Sequence, residues 1–436
     1  MNRRRFLKCV GKNAVAAAAA GAAWGFPTIV SAAALGRDGK QAPSNRIVIG
    51  AIGLNWMGMA NLEAFLAKEG VRVVALCDIE KKHLQNAQNK ATERYGEPCE
   101  THHDFRELIA RPDLDAVTLA LPDHWHAIPA IMAARAGLDI YGEKPLSHTL
   151  EDGRAMCDAV KRYGRVWQTG SWQRSVGNFH RACELVRNGR LGKVTHVEVG
   201  LGQGYSDFDG TGNETAPRQP PDGFDYEMWL GPAPWTPYAP AKIHKNWRWN
   251  ADYGGGLLTD WVGHHVDIAH WGLGLDETGP VEVEATGVSP VGLWNTPTDY
   301  DVHCKYANGI TMQVSSAVRH GTKWIGEGGK WIFVDRGKLE ASSQKILDEV
   351  IGPGEIRLTK SNDHYDNFLE CVRSRKQTIT PCEIAHRSTS VAHIGMVGIK
   401  VGRKLRWDPA TELFDNDPEA QRLLGKVYRS PWRLEV

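Results

Sequence analysis

The sequence predicts two folded parts: an α/β domain built on a doubly wound parallel sheet, and an α+β domain with a large, open, mainly antiparallel sheet flanked by helices. Two observations lead to this fold class. From Arg46 onward, short β-branched runs alternate with helical stretches, which is the pattern of a parallel sheet between helices. After Val194 the predicted strands are longer and alternate polar with apolar residues, as in an antiparallel sheet with one solvated face.

The elements of the first domain follow one another with short connections, and we place this domain at residues 35–168. Its strands are predicted at Ile47–Ile52, Val71–Cys77, Ala116–Ala120, Asp139–Gly142 and Val166–Thr169. Its helices are predicted at Asn61–Glu69, Lys81–Tyr95, Ile128–Ala136 and Leu150–Tyr163.

The second domain is placed at residues 169–406, and residues 407–436 are predicted to form a C-terminal arm over the surface. The segment Gly202–Asp252 is rich in Gly, Pro and Trp, and we interpret it as an ordered loop because many of its side chains can pack. The predicted strands are Val194–Gly200, Val281–Val288, Asp301–Tyr306, Ile310–Ala317 and Lys330–Asp335, and the predicted helices are Asp363–Arg375 and Glu383–Leu405.

Residues 1–34 have the form of a twin-arginine signal peptide. Arg3-Arg4-Arg5 precedes an alanine-rich apolar stretch, and the small residues up to Ala34 suit signal peptidase. A fortuitous basic amphipathic start is the alternative. The apolar stretch is shorter than the about 20 residues that a membrane span needs. We therefore expect a periplasmic or otherwise exported protein without a membrane span after signal removal.

The composition excludes some partners. The formal net charge is +1, with no basic excess of the kind that nucleic-acid binding requires, so no nucleic-acid partner is expected. The cysteines are widely scattered without any CxxC pair, which argues against a disulfide framework or a structural zinc site.

A glycine-containing loop follows the first predicted strand. The segment Gly53-Leu54-Asn55-Trp56-Met57-Gly58 stands between a strand and a helix, where the dinucleotide fingerprint GxGxxG occurs. Asn55 replaces the second glycine, and we expect it to serve there because asparagine tolerates positive φ. An ordinary strand-to-helix turn is the alternative. The loop predicts a Rossmann domain with cofactor contacts from Gly53, Asn55, Trp56, Met57 and Gly58.

The end of the second strand supports this interpretation. Asp78 stands twenty residues after Gly58, where an acidic side chain accepts hydrogen bonds from the adenosine ribose and repels a 2′-phosphate. The alternative is a helix N-cap aspartate before Lys81. Strand, loop, helix, strand and aspartate together predict NAD(H) as the cofactor.

Three further motifs carry a resemblance to a known family. They are Leu121-Pro122-Asp123-His124-Trp125-His126, Tyr141-Gly142-Glu143-Lys144-Pro145, and a GGG-x-L-x-D-x3-H pattern from Gly254 to His264. With them the mature chain resembles the Gfo/Idh/MocA superfamily of oxidoreductases. Exported members are most similar, because the chain carries Thr169-Gly170-Ser171, Gln173-Arg174-Ser175 and Trp229-Leu230-Gly231-Pro232.

The resemblance implies that Lys144, Asp260 and His264 form the catalytic constellation. The residue types suit the chemistry, since oxidising an alcohol needs a group that takes the hydroxyl proton while hydride leaves for the nicotinamide. Asp260 and His264 are four residues apart, so a helix starting near Thr259 places them on one face. Val262 departs from the family pattern, which has glycine two residues after the aspartate.

Other site residues are predicted from their neighbourhood in these motifs. His126 is expected to line the nicotinamide pocket, although a structural histidine is the alternative. Gln173 and Arg174 could reach the substrate or merely bridge the domains. No metal site is expected, because adjacent histidines on a helix point in different directions. The further cofactor contacts are Leu121, His124, Glu143 and Lys144, and the substrate contacts are Trp172, Gln173, Arg174 and His265.

The resemblance implies an NAD-dependent oxidoreductase acting on a sugar or sugar derivative. A redox-neutral NAD-dependent glycoside hydrolase is the alternative, and a cofactor-binding protein without catalysis is disfavoured because all three catalytic residue types are present. An exported enzyme has little free NAD around it, so NAD(H) is expected to be tightly bound. A homodimer or homotetramer is implied by the family alone.

Overall fold

The computed structural model describes residues 45–435, so the predicted signal at residues 1–34 lies outside the described residues. The first domain contains a six-stranded sheet in the order β3-β2-β1-β4-β5-β6. Every pairing in this sheet is parallel, which confirms the doubly wound fold. The strands are β1 (Ile47–Ile52), β2 (Val71–Cys77), β3 (Glu100–His102), β4 (Ala116–Leu119), β5 (Asp139–Gly142) and β6 (Trp167–Thr169).

Helices cover this sheet. Their apolar sides pack on strand residues and shield them from water. Examples are Ile49, Val73 and Ile140, each 0 % exposed. The helices are α1 (Trp56–Ala67), α2 (Lys81–Tyr95), α3 (Phe105–Ile109), α4 (Ala127–Ala136) and α5 (Leu150–Arg162).

The second domain contains a nine-stranded sheet in the order β13-β12-β11-β7-β10-β9-β8-β14-β15. In this second sheet, β10 and β7 are the only pair of described strands that run parallel, so the predicted mainly antiparallel sheet is confirmed. The strands are β7 (His196–Gly200), β8 (Glu282–Val288), β9 (Asp299–Lys305), β10 (Thr311–Ser315), β11 (Gly321–Ile325), β12 (Trp331–Asp335), β13 (Lys338–Ala341), β14 (Leu405–Asp408) and β15 (Leu413–Phe414). The last two strands lie across or beyond the boundary that we place after residue 406.

The three long helices Gly177–Arg187, Gly256–Leu273 and Cys382–Val401 pack on this sheet, whereas the helix His364–Ser374 packs in the core of the first domain. The central helix, α8, buries Val262, Val266 and Ile268 against strand residues that include Val302 and Val314. The helices are α6 (Gly177–Arg187), α7 (Tyr226–Leu230), α8 (Gly256–Leu273), α9 (Gln344–Asp348), α10 (His364–Ser374), α11 (Cys382–Val401) and α12 (Pro418–Gln421).

The loop Gly202–Asp252 is packed, as its composition indicates. Its aromatic residues form a cluster with Tyr253, the next residue along the chain. The Trp229 ring in this cluster contacts the rings of Tyr226 and Tyr253. The tail returns to the first domain, where the ring of Trp432 lies 4.7 Å from that of Trp125. No helix within residues 45–435 is long and apolar enough to cross a membrane.

Candidate active site

A cleft of about 1090 Å³ opens at the carboxyl ends of the parallel strands, where ligands of doubly wound sheets bind. The loop after β1, the turn after β2 and the segments after β4 and β5 form one wall. Residues of the Gly202–Asp252 loop form the other wall. The lining side chains include Trp56, Asp78, Lys144, Trp247 and Arg248.

Two positions of the loop after β1 need glycine. Gly53 has φ +80°, and a Cβ there would lie 2.2 Å from the carbonyl oxygen of Ala120. A Cβ on Gly58 would lie 1.9 Å from the carbonyl oxygen of Gly53. Any side chain at either position would push the loop away from the sheet, so these glycines keep α1 close to the strands.

The prediction that Asn55 adopts a positive φ is wrong. Its φ is −89° and its ψ is 157°, because it is the N-cap of α1 and its side chain accepts a hydrogen bond from the Trp56 N–H. The left-handed conformation falls instead on Trp56, with φ 31°. Capping also explains why α1 begins five residues before the predicted start at Asn61.

The residues of this wall fit a dinucleotide. The N-terminus of α1 has no acidic residue in its first turn and faces the cleft through Trp56 and Met57, which suits an anionic pyrophosphate. The tight turn at Gly53 and Gly58 lets the backbone approach such a group. Asp78 lies at the end of β2 beside the same loop.

Asp78 is not a helix cap. Its carboxylate accepts hydrogen bonds from the N–H groups of Leu54, at 2.7 Å, and of Glu80, at 2.8 Å. The N-cap of α2 is Glu80, one residue before Lys81. Asp78 therefore ties the glycine loop to β2 and lines the cleft, as a ribose-binding carboxylate must.

Asp78→Ala is expected to relax the preference for NAD over NADP by at least about tenfold, because one hydrogen bond to a charged group is worth about 1.5–3 kcal/mol. Binding titrations with both cofactors measure the ratio. Asp348→Ala is the control, because its exposed carboxylate accepts a hydrogen bond from Gln344 and is not among the residues that line the cleft. An unchanged ratio in Asp78→Ala would show that Asp78 only holds the loop.

Lys144, Asp260 and Arg248 form a charged cluster in the cleft. The Lys144 Nζ donates to Asp260 Oδ1 at 2.8 Å, and the Arg248 Nε donates to the same oxygen at 3.1 Å. Burial alone would raise the pKa of the Asp260 carboxyl, but the charges of Lys144 and Arg248 outweigh burial and lower it. Asp260 is therefore a carboxylate at neutral pH and holds Lys144 at the end of β5.

His264 lies one turn after Asp260 on α8 and is 3 % exposed. Burial, followed by the charges of Lys144 and Arg336, lowers the pKa of its imidazole well below the ordinary value. Its Nδ1 has no hydrogen-bond partner among residues 45–435. The structure thus holds a neutral imidazole beside the Lys144–Asp260 pair, with the Trp172 ring 6.4 Å away.

Two predicted cofactor contacts lie behind the cleft wall. The His126 Nε2 lies 2.8 Å from the carbonyl oxygen of Leu121, and its Nδ1 lies 2.8 Å from that of Pro145. The His124 Nε2 lies 3.0 Å from the carbonyl oxygen of Trp229. These buried imidazoles join backbone segments that line the cleft, which is a structural role.

Arg174 and His265 also depart from the prediction of substrate contacts. The buried guanidinium of Arg174 makes ion pairs with Asp267 and Asp276, both at 2.7 Å. His265 is 0 % exposed. Gln173 is buried as well, at 1 % exposed, but neither polar atom of its side-chain amide has a hydrogen-bond partner within the described residues. Residue type alone does not distinguish the internal ion pairs of Arg174 from substrate binding.

Three charged side chains near the site were not predicted from the sequence. Arg248 lies between the rings of Trp56 and Trp247, at 5.0 Å and 4.5 Å. Arg336 lies 4.6 Å from the ring of Trp172, next to His264. Asp123 is buried among these charges. The adjacent Trp247 and Trp249 were the signal that could have drawn attention to Arg248.

Comparisons with known families agree with this geometry. Residues 47–171 match the model of an oxidoreductase family with an NAD-binding Rossmann fold. Residues 177–434 match the model of the C-terminal alpha/beta domain of the same oxidoreductase family. The first domain is therefore an NAD-binding domain.

Curated relatives include a 1-carboxy-3-chloro-3,4-dihydroxycyclohexa-1,5-diene dehydrogenase from Comamonas testosteroni, which is 26 % identical over 73 % of this chain and 70 % of its own length. A glycosyl hydrolase family 109 protein from Stenotrophomonas maltophilia is 28 % identical over 45 % of this chain. That alignment covers 43 % of the relative, less than half of its length.

Solved structures share the fold. The WlbA dehydrogenase from Bordetella pertussis, crystallised with NADH and UDP-GlcNAcA, has a TM-score of 0.61 and 17 % identity, covering 83 % of this chain and 99 % of that one. An aldose-aldose oxidoreductase from Caulobacter crescentus has a TM-score of 0.60 and 20 % identity over the same shares. With both family models matched in order along nearly all of the described residues, the chain belongs to the Gfo/Idh/MocA oxidoreductase family.

Proposed function

We propose that this protein oxidises a sugar or sugar derivative with tightly bound NAD, using Lys144 and His264 as proton-transfer residues. The observation that carries the proposal is the cluster of Lys144, Asp260 and a neutral His264 beside the same cleft as the dinucleotide loop. A cleft that only stored a cofactor would have no need of a lysine held by a buried carboxylate.

NAD, when bound, accepts a hydride from a carbon that bears a hydroxyl group. The protein must hold that hydroxyl and remove its proton. The Lys144 Nζ can donate a hydrogen bond to the hydroxyl oxygen, and the neutral imidazole of His264 can accept a proton. Asp260, kept ionised by Lys144 and Arg248, orients the lysine and can accept a hydrogen bond from a second hydroxyl.

Aromatic faces near the cluster support a saccharide as substrate. Trp172 and Trp261 lie beside His264, and Trp56 is 47 % exposed in the cleft wall. Flat rings of this kind pack against the C–H faces of sugars. The related structures named above include an aldose oxidoreductase and a complex with a nucleotide sugar.

A redox-neutral NAD-dependent glycoside hydrolase, acting by oxidation, elimination and reduction, is the second candidate. It is favoured by the curated relatives that carry the name glycosyl hydrolase family 109. The same proton-transfer residues serve both reactions, because elimination also needs a base at a carbon next to the oxidised one.

Product analysis separates these candidates. The purified protein, without added cofactor, is incubated with free sugars and with glycosides, and the products are identified by mass spectrometry. Sugars that change in mass by two hydrogens support the oxidoreductase, and a cleaved glycoside supports the hydrolase. Failure of every substrate in both sets to react would contradict the proposal that the substrate is a saccharide.

We also propose export by the twin-arginine route and a homodimer or homotetramer. Export is supported by Arg3-Arg4-Arg5 and the apolar stretch after it. Assembly is supported by the second sheet, since alternate residues of β9 and β10 are exposed on the face that the helices leave open.

Purified protein is expected to retain NAD(H) through desalting. The cleft is closed on one side by Trp247 and Arg248 from the second domain, and an exported enzyme that released its cofactor would lose it to the surroundings. Cofactor content is measured by chromatography of the supernatant after denaturation. Protein that emerges empty and turns over only with stoichiometric added NAD would indicate a conventional dehydrogenase.

A further inference from the structure

Three side chains with metal-binding atoms meet outside the cofactor cleft. They are His265 on α8, His320 immediately before β11, and Asp335 at the end of β12. Because β11 and β12 are antiparallel neighbours, the start of one lies beside the end of the other. One ligand atom from each residue lies within 4.8 Å of the other two.

The distances approach those of a tetrahedral site. The Asp335 Oδ1 lies 3.4 Å from His320 Nδ1 and 3.8 Å from His265 Nε2. Ligands bound to Zn²⁺ at about 2.0–2.1 Å in tetrahedral geometry are about 3.4 Å apart. Movements of a few tenths of an ångström would bring the Asp335 oxygen to this separation from both imidazole nitrogens.

His265 lacks the partners that a buried imidazole needs. It is 0 % exposed, and neither ring nitrogen has a hydrogen-bond partner within the described part of the chain. A buried polar group without a hydrogen-bond partner destabilises the fold, and such a group indicates a bound water or ion. Its Nε2 nevertheless points towards Asp335, at the 3.8 Å separation given above.

Neighbouring residues hold both the backbone and the ring of His265 in place. The Thr322 hydroxyl donates to the His265 carbonyl oxygen at 2.8 Å, and the Trp261 ring stacks on the imidazole at 5.5 Å and 6°.

We propose that His265, His320 and Asp335 bind a divalent transition-metal ion, with Zn²⁺ as the first candidate. Two imidazoles and one carboxylate suit Zn²⁺ better than Mg²⁺ or Ca²⁺, which prefer oxygen ligands. The ion joins β11 and β12 to α8 next to His264, and the charge of Asp335 offsets that of the neighbouring Arg336.

The test uses the full chain after treatment with a chelator. Zn²⁺ is titrated into it calorimetrically, and bound metal is counted by mass spectrometry after desalting. Wild-type protein is expected to bind one equivalent that His320→Ala and Asp335→Asn lose or bind at least about 100-fold more weakly, because even indirect partners of a metal ligand contribute about 10–100-fold.

Two controls keep the assignment specific. His303→Ala removes an exposed imidazole that pairs with Asp301 at 2.9 Å but has no third ligand, and it should leave binding unchanged. His83→Ala removes a ligand from the group Glu80, His83 and His244, which lines the cleft, and it should leave the His320-dependent equivalent in place.

Wild-type protein that binds no Zn²⁺, Co²⁺ or Ni²⁺ would overturn the metal site, as would unchanged binding in both His320→Ala and Asp335→Asn. The readout is independent of the proposed reaction. NAD(H) content and sugar turnover are measured on the same samples, so a failed metal site and a failed catalytic proposal are distinguishable.

Discussion

Lys144→Ala is expected to lower kcat/KM by at least about 100-fold while NAD(H) stays bound, since general acid–base groups typically contribute about 10²–10⁴-fold. The substitution removes the ammonium that lies 2.8 Å from Asp260 and faces the cleft. It leaves the glycine loop and Asp78 intact, so the cofactor contacts at that end are preserved. His264→Ala is expected to act on the same step.

Steady-state kinetics on a reactive sugar and the cofactor content of each variant check this result. Lys404→Ala is the matched control. Its ammonium pairs with Glu284 on the surface at 3.4 Å, and neither residue is among those that line the cleft. Turnover near that of the wild type in Lys144→Ala would remove Lys144 from the mechanism. Loss of NAD(H) together with activity would assign Lys144 to cofactor binding.

Arg174→Met is expected to lower the free energy of unfolding by about 3–5 kcal/mol, because removing one partner of a buried ion pair leaves an uncompensated charge. Asp267 is 3 % exposed at its side chain, so its carboxylate cannot regain water in the variant. Asp276, at 21 %, is less affected. Arg174 lies in the turn after β6 and Asp267 lies on α8, so the lost ion pair is one within the second domain, and that domain should be destabilised.

Chemical denaturation of Arg174→Met, compared with a control variant, measures this change in the free energy of unfolding. Arg403→Met is the control, because Arg403 pairs with Asp417 and Glu419 on the surface, where such pairs are worth about 0–1 kcal/mol. A loss below about 1 kcal/mol in Arg174→Met would show that water or a neighbouring group compensates Asp267.

The fold of the first domain was largely predictable, because the strands and helices around a parallel sheet show as local patterns of apolar residues. The buried strands β1, β2 and β5 are short apolar runs between helical segments, and all were found at their true positions. In the first domain two elements were missed because they are too short for a period to show: β3, with three residues, and α3, with five. In the second domain the elements that were not predicted include α6, with eleven residues, and β11, with five. The start of α1 was misplaced because capping by Asn55 outweighs the later apolar spacing.

Site residues were predictable where their role depends on spacing along the sequence. They were less predictable where their role depends on which side chains surround them in the folded protein. The four-residue interval between Asp260 and His264 holds on α8, and Lys144 reaches Asp260 from the end of β5. Arg248 comes from an irregular loop, where no period marks it. Arg174 has the residue type of a substrate contact, and only the tertiary structure shows that its charge is taken by Asp267.

The proposed function requires that NAD held by this protein takes hydride from a sugar with the help of Lys144. A single-turnover absorbance measurement on protein purified without added cofactor tests this requirement, with wild-type and Lys144→Ala mixed separately with a sugar that the product analysis identifies. We expect rapid appearance of the reduced-nicotinamide band in the wild type and at least about 100-fold slower appearance in Lys144→Ala. Conversion of the sugar with no change in the nicotinamide spectrum, or equal rates in both proteins, would contradict it.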